Sequence, residues 1–338
     1  MTSRRRFLQM IAGAGAALGG CQPSSPNHSV AAMPADGQGA TITPVSIPAN
    51  RVAIAQDSAS VAGNAIDAEA VDGLLGKALA KLSPVGDAGA ALKALFGPSD
   101  VVAIKVNCLA GPPLSSHPEL VAAIARRLGE SVGIAADNII VYDRTAGELE
   151  AAGFGQQTAH YRSMGTDQVG YDDEPTVSGQ AGSCYSRIVS EMATAIINVP
   201  VLKDHDLAGL TGALKNHFGS IHNPNKMHMD HCCPYVADVN CASHIRDKQR
   251  LIIYDALLVC YDGGPGYKPD ATLAQGAVIV ATDPVAADTV AFDRLEKLRQ
   301  EHGLPPIAGT ERAPQYIRIA ADGEHGLGVA DLQRIEVC

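Results

Sequence analysis

Val101-Val-Ala-Ile-Lys105-Val-Asn107 is a short, continuously apolar run that closes on a lysine and an asparagine. A run without polar alternation reads as a strand buried on both faces. Pro118 to Leu128 follows with helical spacing, and proline after His117 suits a first helical turn. Asn138-Ile-Ile-Val-Tyr142 is the next strand and stops at Asp143. The same alternation extends both ways. Arg51-Val-Ala-Ile-Ala55 opens it, and Ile66, Ala70, Leu74, Leu75, Leu79 and Leu82 keep helix spacing over 66–82. Ala195 to Pro200, Leu251 to Tyr254 and Ala277 to Ala281 read as three more strands. Short helices are predicted over 209–220 and 235–247. A longer one runs from Pro284 to Arg299, with Asp283 as its N-cap. Residues 155–185 read as loops with one strand, 222–234 as loop, and 314–337 as a helix then a strand. Short apolar strands alternating with helices predict an α/β fold: a largely parallel sheet with helices on both faces.

Composition agrees. Apolar residues make up 46% of the 338, aromatics only 4%, and tryptophan is absent, so the core is built from Ala, Val, Leu and Ile. A formal charge of -10 and no basic stripe argue against nucleic acid as a partner.

The N-terminus reads as an address. Ser3-Arg4-Arg5-Arg6-Phe7-Leu8 heads a Gly- and Ala-rich run that ends in Leu18-Gly19-Gly20-Cys21. This is the pattern of a twin-arginine signal closing on a lipobox, too short to span a bilayer. It predicts the twin-arginine export machinery as a partner, a periplasmic or envelope location, and a lipid anchor on Cys21. Residues 22–48, rich in Pro, Ser, Gly and Ala, read as a flexible linker, and 49–338 as a single α/β domain.

In parallel sheets ligands bind beyond the carboxyl ends of the strands. Here those ends carry Lys105 and Asn107, Asp143 and Arg144, Lys203, Asp204 and His205, then Asp255, Asp262 and Asp283. Thr211-Gly212 precedes a short helix bearing Lys215 and Asn216. Gathered on one rim, Lys105, Asn107, Lys203, Thr211 and Asn216 form a binding set for a small anionic ligand. Lys215, Asp262 and Asp283 are the candidates for proton transfer. Neither a phosphate-loop pattern nor a dinucleotide fingerprint is present.

Six of the eleven histidines lie between 205 and 244, with Cys232, Cys233 and Cys241 among them. Nitrogen and sulfur donors together suit zinc or iron, and an iron–sulfur cluster is a further option. His205, His217, His228 and Cys232 are the candidate metal ligands. The spacing matches no zinc-finger or ferredoxin pattern, and an incidental loop of His with buried Cys is the alternative. No nucleophile elbow occurs, which leaves Cys232 beside His228 or His231 as the one nucleophilic arrangement.

Most of 51–300 resembles a family known only as domain of unknown function 362. The resemblance rests on Val-Ala-Ile-Lys105-Val-Asn107, His117-Pro118, Leu202-Lys203-Asp-His205 and Thr211-Gly-Ala-Leu-Lys215-Asn216-His217-Phe-Gly219. It continues through His228 and Cys232 ahead of Pro234 to Asp238, Asp262-Gly-Gly-Pro265, and Thr282-Asp283-Pro284-Val-Ala-Ala-Asp288. It implies an α/β fold and leaves the reaction open. Two expectations follow. One is an exported, metal- or cofactor-dependent enzyme acting on a small anion. The other is a non-catalytic envelope protein that holds a metal or iron–sulfur cluster for electron transfer or delivery.

Overall fold

A computed structural model describes residues 46–155 and 157–338. The twin-arginine stretch, Cys21 and the linker up to residue 45 lie outside the described residues. Ten strands form one sheet: β1 (Arg51–Gln56), β2 (Val102–Lys105), β3 (Ile139–Asp143), β4 (Arg162–Gly165), β5 (Ala195–Asn198), β6 (Val201–His205), β7 (Gly209–Thr211), β8 (Gln249–Cys260), β9 (Thr272–Ala281) and β10 (Glu336–Val337). Its order is β10-β1-β9-β8-β5-β2-β3-β4, with β6 beside β8 and β7 beside β6. The strands from β8 through β5, β2 and β3 to β4 are parallel, as is β6 on β8. The expected α/β architecture with a largely parallel sheet is thus present.

Alternation along each strand divides the core. Val102 and Ile104 of β2, Val141 of β3 and Ile253 of β8 face one layer. There they meet helices α1 (Ala68–Leu82), α2 (Ala88–Leu95) and α3 (Pro118–Arg127). Ala103, Tyr142, Ile252 and Tyr254 point the other way. That side is covered by α4 (Ala213–Asn216), α5 (Tyr235–Cys241), α6 (Pro284–Glu301) and α7 (Gln315–Ala320). Burying each such Ile or Leu stabilises by about 1.5–3 kcal/mol. Helix starts follow local chemistry. Asp67 Oδ1 accepts from Ala70 N at 2.9 Å to open α1, and Asp283 Oδ1 accepts from Val285 N and Ala286 N, both at 2.8 Å, to open α6.

Four predicted elements differ from expectation. The apolar runs at 251–254 and 277–281 are parts of two longer strands, β8 and β9, which pair antiparallel. Gln249, Arg250 and Asp255 in β8 and Thr272, Gln275 and Gly276 in β9 interrupt the apolar signal. The segment 209–220 is a strand, a one-turn helix and a 3-10 turn. Gly209, at φ +70°, lets β7 fold back on β6, and Gly212 separates strand from helix. The stretch 235–247 breaks at Ala242, whose extended backbone separates α5 from a second turn at Ser243–Arg246. Among the described residues no helix is long and apolar enough to cross a membrane.

Candidate functional site

The carboxyl ends of β2, β3 and β6 open into one cavity of about 260 Å³, walled on the far side by α4 and by Pro224 to His228. Lys105 and Asn107 enter from the end of β2, Lys203 and His205 from β6, and Thr211 from β7. Lys215 and Asn216 enter from α4, and His228 from the loop beyond it. Eight candidate residues, distant in sequence, therefore meet. Asp143, Arg144 and Phe218 share the same wall.

Their hydrogen bonds separate committed groups from free ones. Lys105 Nζ donates to Asp143 Oδ1 at 2.8 Å, to the Val106 carbonyl at 2.5 Å and to Asn216 Oδ1 at 3.3 Å. An ammonium has three protons, so none is left for a ligand. Asn107 Oδ1 accepts from Lys203 at 2.8 Å, while its Nδ2 donates to Asn216 Oδ1 at 3.1 Å. Asn216 Nδ2 donates in turn to Asn198 Oδ1 at 2.8 Å. Each amide is held in one orientation, and each orients a neighbour. Asn107 and Asn216 are thus framework.

Lys203 and Lys215 differ from Lys105. Lys203 is fully buried and bonds only to Asn107 among the described residues. Lys215 is 9% exposed, packs over the Phe218 ring and lies 3.4 Å from His228 Nε2. Neither has a carboxylate within salt-bridge distance among the described residues. Burial pulls Lys203 down to about 7 and lowers Lys215 as well.

Two more donors are free. Burial, followed by the nearby Lys215 charge, pushes His205 down to about 2, so its ring is neutral. Its Nδ1 accepts from Leu207 N and Ala208 N, at 3.2 and 3.3 Å, which places the ring proton on Nε2. Asp206 Oδ1 lies 3.1 Å from the same Nδ1, but beside a neutral ring this is no ion pair. Thr211 Oγ1 is buried without a partner among the described residues, although Thr211 is only 5% exposed. A buried hydroxyl left unpaired costs about 1–3 kcal/mol unless something fills the role.

Of the four candidate metal ligands, His205 and His228 share the cavity and His217 and Cys232 do not. His217 Nε2 faces Gln249 Oε1 at 2.7 Å and its Nδ1 faces Ser220 Oγ at 3.1 Å, so both ring nitrogens are engaged away from the cavity. His228 donates from Nδ1 to the Pro224 carbonyl at 3.0 Å and turns Nε2 toward Lys215. The rings of His205 and His228 stack 6.2 Å apart. Cys232 is buried outside the cavity wall. Among the described residues no three His, Cys, Asp or Glu side chains are grouped to hold a metal ion.

Asp262 and Asp283 also stand apart. Asp262 Oδ1 accepts from Arg299 at 2.6 Å. Asp283 Oδ1 caps α6, and its Oδ2 accepts from Val329 N at 2.8 Å. Their carboxylates serve the fold. Sequence reasoning placed Asp143 on the rim by its position at the end of β3 but gave it no role in the site. It missed Asp206 and Phe218, which carry none.

No curated protein matches this chain. A crystal structure of a protein from Thermotoga maritima is similar at a TM-score of 0.41 and 10% identity, over 72% of this chain and 61% of that one. This chain thus spans about three fifths of the length of that protein. The family described as a domain of unknown function (DUF362) matches residues 102–293, a span that contains every cavity residue named above. The chain belongs to the DUF362 family.

Proposed function

We propose that this chain is an enzyme acting on a small anionic substrate, exported by the twin-arginine route and held at the cell envelope through Cys21. One observation carries the substrate class. Lys203 and Lys215, both buried and both without a carboxylate partner among the described residues, line one cavity. An unpaired buried ammonium is costly, and a bound carboxylate or oxyanion relieves that cost. Thr211 Oγ1 and His205 Nε2–H supply two neutral donors to the same ligand. Lys105 does not contact the ligand; it holds Asn216 and closes the pair with Asp143.

The catalytic part follows from where Lys203 titrates. An amine near neutrality both takes and gives a proton at working pH, which suits general acid–base chemistry next to the anionic group. Asp262 and Asp283, outside the cavity, take no part. His205 and His228 line the cavity while Cys232 lies outside its wall, and the proton transfer is assigned to the chain's own side chains.

The test is calorimetric titration of the full chain with sulfate, whose charge is constant from pH 5 to 8, and with succinate. One saturable site is expected. Lys203→Met and Lys215→Met should each weaken it at least ~10-fold, the loss of one charge-assisted contact. The absence of saturable binding of either anion would overturn the reading. The pH profile of sulfate affinity should show an inflection near 7 that Lys203→Met removes.

A further inference from the structure

Helix α4 carries Lys215 and Asn216 into the cavity, yet it has no cap of its own. Gly212 at its N-cap has no side chain to accept the first amides. The acceptor comes instead from 75 residues away in sequence. Asp288, in the second turn of α6, sends Oδ1 to Ala213 N at 2.6 Å and Oδ2 to Leu214 N at 3.1 Å. Tyr254 of β8 completes the arrangement: its hydroxyl accepts from Ala213 N at 3.1 Å and donates to Asp288 Oδ1 at 2.5 Å. Asp288 and Tyr254 are both fully buried. The fit leaves no room for a side chain at 212, where a Cβ would come within 2.7 Å of Asp288 Cγ.

We infer that Asp288 is a positioning residue for the anion site: its carboxylate fixes the start of α4 and thereby the place of Lys215 and Asn216 in the cavity. The inference rests on the anion-site reading for its consequence and on hydrogen-bond geometry for its mechanism. Three donors converge on one carboxylate, so one buried charge satisfies groups from two elements. The geometry is directional as well. A carboxylate accepts at both oxygens, whereas the amide of Asp288→Asn accepts at one and must turn an N–H toward either the helix or the tyrosine. Two titratable groups face the carboxylate besides Tyr254. Tyr316 comes from α7, and Asp283 lies one turn earlier on the α6 side. Burial holds Asp288 up near 7, so its charge, and the grip on Ala213 and Leu214, weakens as pH falls through neutrality.

The experiment uses the full chain. Sulfate affinity is measured at pH 8 for wild type and Asp288→Asn, with peptide-resolved hydrogen exchange on both. The expected result is sulfate binding weaker by about 10-fold, the loss of one hydrogen bond to a charged group. Protection should be lost selectively over 213–216 while the β8 segment 251–255 keeps its own. Equal sulfate affinity in the variant overturns the inference. So does a uniform loss of protection in both segments, which is the mark of a purely structural role. If wild type binds no sulfate, the anion reading fails and exchange alone decides: unchanged protection over 213–216 in the variant overturns the positioning role. If the variant does not fold, wild type is read at pH 8 and pH 6. Protection over 213–216, corrected for intrinsic exchange, should fall more than that over 251–255, and a flat profile overturns the inference.

Discussion

Lys203 is the residue whose physics bears most directly on the proposed function. In the unfolded chain its ammonium holds a proton to about 10.5, and in the folded chain burial brings that down to about 7. Between those values the unfolded state binds more protons, so the contribution of Lys203 to stability rises with pH through that window. At pH 7 and below the buried charge opposes folding. Lys203→Met keeps the unbranched stem up to the ε position, forgoes one bond to Asn107 and removes the buried ammonium. It should therefore stabilise the ligand-free protein at pH 7 by on the order of 2 kcal/mol. That gain over wild type should shrink by pH 9. Denaturant unfolding at the two pH values checks this, and a less stable variant at pH 7 would remove the case for a strained amine. The same substitution is expected to weaken anion binding, so stability and affinity should move in opposite directions. Much of this site was legible in the chain, because strand ends in a parallel sheet share one edge. Lys105, Lys203 and their neighbours could be gathered on that rule alone. Which lysine is committed and which is free depends on partners such as Asp143, 38 positions from Lys105, and no spacing rule reports that.

At the scale of elements, the segment Thr211-Gly-Ala-Leu-Lys215-Asn216-His217-Phe-Gly219 is pinned at both ends by close backbone contact. Gly212 abuts the Asp288 carboxylate. At Gly219 a Cβ would lie 2.7 Å from Lys105 Nζ and 2.9 Å from Asp143 Oδ1. Both glycines are there because a charged group occupies the space of a side chain, and neither has a positive φ to require glycine. Gly212→Ala and Gly219→Ala should each cost about 1–3 kcal/mol, the usual range for overpacking a filled site. Gly219→Ala should also part the Lys105–Asp143 pair. Thermal unfolding of the two variants gives the measurement, and wild-type midpoints would mean that the segment yields without strain. The sequence pattern singled out this stretch correctly but read it as one helix. Four helical residues between two glycines are too few for periodicity to register, and the acceptor that starts the helix lies in α6. One sign of it was present: Asp288 is a lone carboxylate inside Pro284-Val-Ala-Ala-Asp-Thr-Val-Ala, an otherwise apolar stretch of helix.

For the whole molecule, one sheet serves two cores, and the cavity draws on strands that both cores hold in place. Ile104 precedes Lys105 on β2 and packs with α1 and α3, whereas Ile252 of β8 packs on the opposite face. Losing one layer exposes the face of the strands it covered and loosens the sheet on which the other layer packs. We therefore expect residues 46–338 to unfold in one cooperative transition. The tyrosines make this testable. Tyr142, Tyr185, Tyr254 and Tyr316 are buried in the layer that includes α4, while Tyr161 is the buried tyrosine of the other layer among the described residues. With tryptophan absent, near-ultraviolet circular dichroism reports mainly on one face, and far-ultraviolet signal reports on both. The two signals should give coincident denaturant transitions. Ile104→Ala, on the face with one buried tyrosine, should cost about 2–5 kcal/mol and move the tyrosine signal by the full amount. Ile252→Ala should do the same from the other side. If Ile104→Ala instead lowers only part of the far-ultraviolet signal and leaves the tyrosine transition in place, the layers are separable. The lysine cavity then belongs to one of them rather than to the sheet they share.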